Sequence, residues 1–184
     1  MIPVLARWNK AFITSGSLTC CTMSTSKRHF ERRLLRYTSD QLFLVVADVQ
    51  KYSQFVPWCV SSTVRRTINK NSLEADLEVG FGSLREKYTS NVHLVPNIKI
   101  STDSSQTSFI DRLTTLWTFT PGADPKTCWV TFQIDFKFKS IIYGKISDLF
   151  FQDIVDNMVK AFEKRCLQVY GPSSNSIKEE KTIV

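Results

Sequence analysis

The sequence predicts an α+β fold, a curved antiparallel β-sheet wrapped around a long C-terminal α-helix. Three observations carry this reading. From residue 60 to residue 138 apolar side chains recur at a period of two, in runs separated by turn residues. From Ser140 to Tyr170 there is no proline, and the apolar spacing lengthens to that of a helix. Between residue 28 and that helix, helical spacing occurs only around residues 39–56, so strands dominate the middle of the chain and one helix closes it.

The first 27 residues form no part of that plan. Ile2, Val4, Leu5, Trp8 and Phe12 share one side of a helical wheel, with Arg7 and Lys10 on the other. A Ser/Thr-rich stretch follows from Thr14 to Ser26, and the first acidic residue is Glu31. Basic, amphipathic and acid-free is the pattern of a mitochondrial transit peptide. A secretory signal needs an uninterrupted apolar run, and none stands here. The expected organisation is therefore a transit segment over 1–27, a folded domain over 28–171 and a polar, disordered tail over 172–184.

Residues 29–37 mix apolar and basic positions like a half-exposed strand. Thr38 and Ser39 can cap a helix, and Leu42, Phe43, Val45, Val46 and Val49 follow at helical spacing with Asp40 at the positive end. A short second turn, "SQFVP", stops at Pro57. After Trp58 the alternation begins. Residues 60–68 place Val60, Ser62, Val64, Arg66 and Ile68 on one side. Residues 73–81 set Leu73, Ala75, Leu77, Val79 and Phe81 against Glu74, Asp76 and Glu78, the cleanest apolar and acidic faces in the chain. Further strands are expected over 84–96, 98–103, 113–120 and 127–138. "GFGSL" (80–84) reads as a bulge or tight turn between two of them. Along the last helix Phe151, Ile154, Val155, Met158, Phe162, Cys166 and Val169 fall on one stripe, ended by Gly171-Pro172.

Composition narrows the function classes. The net charge is +7, but Arg7, Lys10, Lys27 and Arg28 precede any acid, and the rest of the chain carries only +3. That is a weak footprint for nucleic acid, though compatible with an anionic membrane surface. Five scattered cysteines, Cys20, Cys21, Cys59, Cys128 and Cys166, have no metal spacing and read as free thiols in a reducing compartment. His29 and His93 have no metal-spaced partners. No GxSxG, P-loop, GxGxxG or HExxH stands in the chain, so no catalyst and no metal are expected. No stretch reaches the roughly 18 apolar residues of a membrane span, so membrane contact would be peripheral.

The element order and three local patterns, "ADVQKYSQFVPWC" (47–59), "GFGSLREKYTSNV" (80–92) and "LWTF" (116–119), resemble the helix-grip superfamily of START-like lipid-binding domains. More closely, the chain is similar to the family of mitochondrial coenzyme Q-binding proteins and their bacterial kin, over roughly residues 29–170. That family often carries Pro after the tyrosine of the first pattern, where Ser53 stands here. The resemblance implies one cavity that holds ubiquinone or a late polyprenylated precursor as a bound ligand. It implies support of respiratory electron transfer and of quinone biosynthesis, with no reaction catalysed by the domain. It also implies a peripheral place on the matrix side of the mitochondrial inner membrane, with quinone-biosynthesis or respiratory-chain proteins as partners. Two other readings stay open: a cyclase or aromatase of the polyketide type, which would need an acid–base pair, and a ribosome-association module, which would need a basic patch.

The candidate cavity residues are Phe55 and Trp58 at the corner before the first long strand, and Arg66, Val79, Phe81, Glu86 and Tyr88 on the inward sides of the next strands. Trp117, Phe119, Phe132 and Phe136 follow from the later strands, then Phe151, Val155, Met158 and Phe162 from the helix. Arg66 and Glu86 are expected inward as a pair that could orient ring oxygens, since a buried charge needs a partner. Ile142, Ile146, Leu149 and Phe150 lie opposite the core stripe of the last helix. With Trp58 they form the expected membrane contact, because an exposed apolar patch of this kind marks a lipid or partner surface.

Overall fold

Eight strands and two α-helices make up the structure, a computed structural model that describes residues 25–82, 84–105, 107, 109–139, 144–172 and 181–182. Strand β1 (Thr25–Leu35) leads into α1 (Ser39–Ala47) and a 3-10 turn (Val49–Gln54). Then come β2 (Cys59–Asn69), β3 (Ser72–Phe81), β4 (Leu84–Val95), β5 (Lys99–Ser104), β6 (Ile110–Pro121) and β7 (Cys128–Phe138). Helix α2 (Gly144–Tyr170) follows, and β8 (Lys181–Thr182) pairs with Arg32 and Arg33. The sheet order is β2-β3-β4-β5-β6-β7-β1-β8, antiparallel throughout. The curved sheet holds α2 against its inner face.

Local chemistry sets the turns. Thr38 Oγ1 accepts from the Gln41 amide, and Gln41 Oε1 accepts from the Thr38 amide, a reciprocal cap that starts α1. The helical spacing read from the sequence runs on to Val49, but α1 ends at Ala47 and the chain tightens into the 3-10 turn. There the Tyr52 hydroxyl donates to the Val46 carbonyl, satisfying one of the orphan acceptors of the helix end. Pro96 and Asn97 turn β4 into β5, with Asn97 at φ 59° and the Ile98 amide donating to Val95. Gly82, at φ 58°, turns β3 into β4.

Strand β7 alternates without a break. Cys128, Val130, Phe132, Ile134, Phe136 and Phe138 are all buried against the helix side. Each such side chain contributes about 1.5–3 kcal/mol of burial free energy. The register places Trp117 opposite Phe132 and Phe119 opposite Val130.

Strand β2 departs from the expected alternation. Its pairing with β3 shifts between Cys59 and Ser61, between Val64 and Arg66, and between Thr67 and Asn69. Each shift resets which side chains face inward. Ser62 is buried while Val60 and Ile68 are exposed. Strand β1 also differs from a plain core strand. Its register puts Lys27, His29, Glu31 and Arg33 across from Phe136, Ile134, Phe132 and Val130, so the face it shares with the core side of β7 is charged. Glu31 is buried and accepts from Arg33 Nε at 2.5 Å, and Lys27 pairs with Asp148 of α2.

Candidate ligand cavity

A cavity of about 80 Å³ lies between the inner face of the sheet and the C-terminal half of α2. That is several times the ~10–15 Å³ that one buried water needs.

The helix contributes Met158 and Phe162 to the wall. Val49, Tyr52, Val56 and Trp58 come from the 3-10 turn and the corner that follows it, and Cys59 from the start of β2. Strand β3 supplies Leu77 and Val79; β4 supplies Tyr88, Ser90 and Val92. Ile100, Thr102 and Ser104 of β5 and Leu113, Thr115 and Trp117 of β6 complete it.

A continuous series of rings borders this space. Tyr52 meets Phe162 edge-on at 5.2 Å between centroids, and Phe162 meets Trp117 at 4.8 Å. Trp117 in turn lies 4.6 Å from Phe132. Such contacts favour fixed ring positions beyond their area burial. The remaining wall is a patch of hydroxyls. Ser90 and Ser104 are cross-strand partners, and Thr102 and Thr115 share a hydrogen bond of 2.7 Å. Among the described residues no lysine, arginine, histidine, aspartate or glutamate lines the cavity.

The groups that could ionise there are held neutral. Burial pushes the Cys59 thiol up to about 11. Burial, followed by the influence of Tyr88, Cys59 and Asp48, raises the Tyr52 phenol well above its ordinary range; burial and then Cys59 do the same for Tyr88. A thiol that stays protonated is a poor nucleophile, so the wall is chemically quiet. Among the described residues no three His, Cys, Asp or Glu side chains gather as a metal site.

Of the residues singled out from the sequence, Trp58, Val79, Tyr88, Trp117, Met158 and Phe162 line the cavity. Phe132 stands behind Trp117, fully buried. Phe119 is buried edge-on against Phe43 of α1, and Phe136 packs on Phe138, both away from the cavity. Phe55 packs on Phe162 but faces an outer groove with Leu44, Arg165 and Val169. Phe151 and Val155 are half-buried nearer the start of α2, with Lys27 over the Phe151 ring. The side chain of Phe81 lies outside the described residues.

Four placements are corrected. Arg66 does not face inward: the shift at Val64/Arg66 turns it out, where it is exposed and binds Glu74 at 2.6 Å. Glu86 is inward and 8% exposed, but its Oε1 accepts from the Phe109 amide at 3.4 Å and it neither meets Arg66 nor lines the cavity. Trp58 is 6% exposed, so it belongs to the cavity and cannot be a membrane anchor. Val169, expected on the core stripe, is exposed. Of the remaining membrane-contact residues, Leu149 is 65% exposed, Ile142 lies outside the described residues, and so do the side chains of Ile146 and Phe150.

The hydroxyl wall was missed. Counting by twos from Tyr88 leads to Ser90 and Val92, and from Ile100 to Thr102 and Ser104. The signal was present, but a polar residue in a strand is read by default as solvent-facing.

Comparison with known proteins agrees with this geometry. The sequence profile described as polyketide cyclase / dehydrase and lipid transport matches residues 35–163. Coenzyme Q-binding protein COQ10 homolog B, mitochondrial, of Xenopus laevis is 37% identical over 79% of this chain and 61% of its own length. Coenzyme Q-binding protein COQ10, mitochondrial, of Dictyostelium discoideum is 36% identical over 79% of this chain and 71% of its own. Ribosome association toxin RatA of Pseudomonas aeruginosa is 31% identical over 78% of this chain and 98% of its own. The crystal structure of a Streptomyces aromatase/cyclase superposes with a TM-score of 0.68 at 12% identity, over 83% of this chain and all of that one, which speaks to the fold alone. The chain belongs to the polyketide cyclase/dehydrase and lipid-transport family, and within it to the coenzyme Q-binding proteins.

Proposed function

We propose that this chain binds coenzyme Q, or a late neutral precursor of it, with the ring in the interior cavity. On this reading it is a binding protein and not an enzyme. It acts as a peripheral carrier on the matrix side of the mitochondrial inner membrane, supporting quinone delivery to respiratory electron transfer and quinone biosynthesis. The observation that carries the reading is the cavity itself, with aromatic and hydroxyl walls and no lining charge. A neutral, oxygen-bearing ring matches that lining. A carboxylate would enter it without a cation, at a desolvation cost of several kcal/mol. The names of the relatives support both the ligand and the mitochondrial setting. Among the described residues no helix is long and apolar enough to cross a membrane. The exposed Leu149, on the helix side it shares with Ile146 and Phe150 by sequence, supports contact through the start of α2. If an N-terminal segment is removed on import, the cut falls ahead of Thr25, because β1 is paired with β7 from that residue onward.

The resemblance to ribosome association toxins favours a second reading. The surface charges argue against it. Arg28 pairs with Asp135 at 2.7 Å, Arg66 with Glu74 at 2.6 Å, Lys87 with Glu78 at 3.3 Å and Lys137 with Asp111 at 2.6 Å. Cations interleaved with acids in this way do not build the uniformly basic face that RNA requires.

Organic extraction of the protein purified from mitochondria, followed by mass spectrometry, tests the choice. Near-stoichiometric prenylated quinone is expected. Extracts empty of quinone, with the protein co-sedimenting with ribosomes, would replace the first reading with the second.

A further inference from the structure

Ser104, the last residue of β5, lines the cavity and is 8% exposed, yet its hydroxyl has no hydrogen-bond partner among the described residues. Native structures rarely leave a buried hydroxyl unpaired, and such a group calls for an explanation. Its neighbours are differently placed. Thr102, two residues earlier on the same strand, is joined to Thr115 at 2.7 Å, so that pair is at least partly satisfied within the protein. Ser90, the cross-strand partner of Ser104, is 2% exposed on the same wall. The unpaired oxygen therefore lies in a polar patch of an otherwise aromatic and aliphatic space.

We propose that Ser104 is the recognition point of the cavity, its hydroxyl donating a hydrogen bond to a carbonyl oxygen of the ring guest. This deepens the quinone reading and rests on it. A quinone carbonyl has no proton to give, so serine must be the donor; a hydroquinone hydroxyl can donate to the same serine oxygen, because a hydroxyl serves either way. The anchor thus selects an oxygen-bearing ring over a hydrocarbon one and accepts both redox forms. The absence of a lining cation or carboxylate adds that the guest is uncharged.

The test compares the full chain with its Ser104→Ala variant, using quenching of tryptophan fluorescence, since Trp58 and Trp117 both line the cavity. One probe is the dimethoxy-methyl-benzoquinone ring with a decyl chain. The other is the same decyl-substituted ring with hydrogen in place of both carbonyl oxygens. A lost neutral hydrogen bond weakens binding by about two- to tenfold. That loss is expected for the quinone and not for the carbonyl-free ring, with the melting temperature of the variant equal to or above that of the parent. Equal quinone affinity in the two proteins overturns the anchor and leaves the cavity reading standing. So does an equal loss for both probes, which would mean a disturbed wall. A parent protein that binds no quinone at all overturns the cavity reading, and the anchor with it.

Discussion

Cys59 combines two properties that bear on a quinone guest: it lines the cavity and its thiol is held protonated by burial, at about 11 against an ordinary 9.0. Thiolates add to quinones at ring carbons that still carry hydrogen, so a thiolate in that position would threaten an incompletely substituted precursor. At pH 8 a two-unit rise lowers the thiolate fraction about a hundredfold. Peptide-resolved alkylation by iodoacetamide should therefore label Cys59 about a hundredfold more slowly in the folded protein than in urea; comparable rates would mean an open, ionised thiol. The same shift has a consequence for stability. Between about 9 and 11 the unfolded thiol has lost its proton and the folded one keeps it, so folding takes up a proton and stability falls as pH rises. Cys128, also at about 11, and Cys166, at about 12, act in the same direction. The melting temperature should hold level up to about pH 9 and drop above it. Burial of these cysteines was legible in the apolar patterns around Cys128 and Cys166. What burial does to Cys59 was not, because its neighbours in space come from other strands.

At the scale of elements, the sequence was most readable where one period ran unbroken. Strand β7 and the middle of α2 follow their expected faces residue by residue. Strand β2 does not, because each bulge inserts a residue that a count by twos cannot see, and Arg66 was assigned to the wrong side for that reason alone. Strand β1 was harder still. Its inward positions are charged, and only the register with β7 and the Lys27–Asp148 pair reveals that they face the helix layer. The start of α2 is the element on which the proposed membrane contact rests. An apolar side chain gains about 1.5–3 kcal/mol on leaving water, so the proposed contact through a patch containing Leu149 would be reversible attachment and not permanent insertion. Changing Ile146 and Phe150 together to Ser should abolish most sedimentation with liposomes of inner-membrane composition, while the melting temperature shifts by only a few degrees. Unchanged sedimentation would move the membrane contact elsewhere on the molecule.

For the molecule as a whole, the limiting quantity is volume. The cavity of about 80 Å³ is too small for a long prenyl chain. On the proposed reading the sheet and helix enclose the head group, and the tail stays outside or in the membrane. Affinity measured against tail length decides this. A prenyl unit buried inside would add about 0.8 kcal/mol for each of its roughly five carbons, tightening binding by more than about a hundredfold per unit. With the tail outside, quinones carrying one, two and three prenyl units should bind from water within about fivefold of each other. A steep rise with each unit would instead mean that the tail enters between α2 and the sheet. Titration of the three quinones against tryptophan quenching, in the parent and with Phe162→Ala, separates the two. The smaller side chain enlarges the space beside Trp117 by a ring, so it should make the first prenyl unit, and only the first, tighten binding.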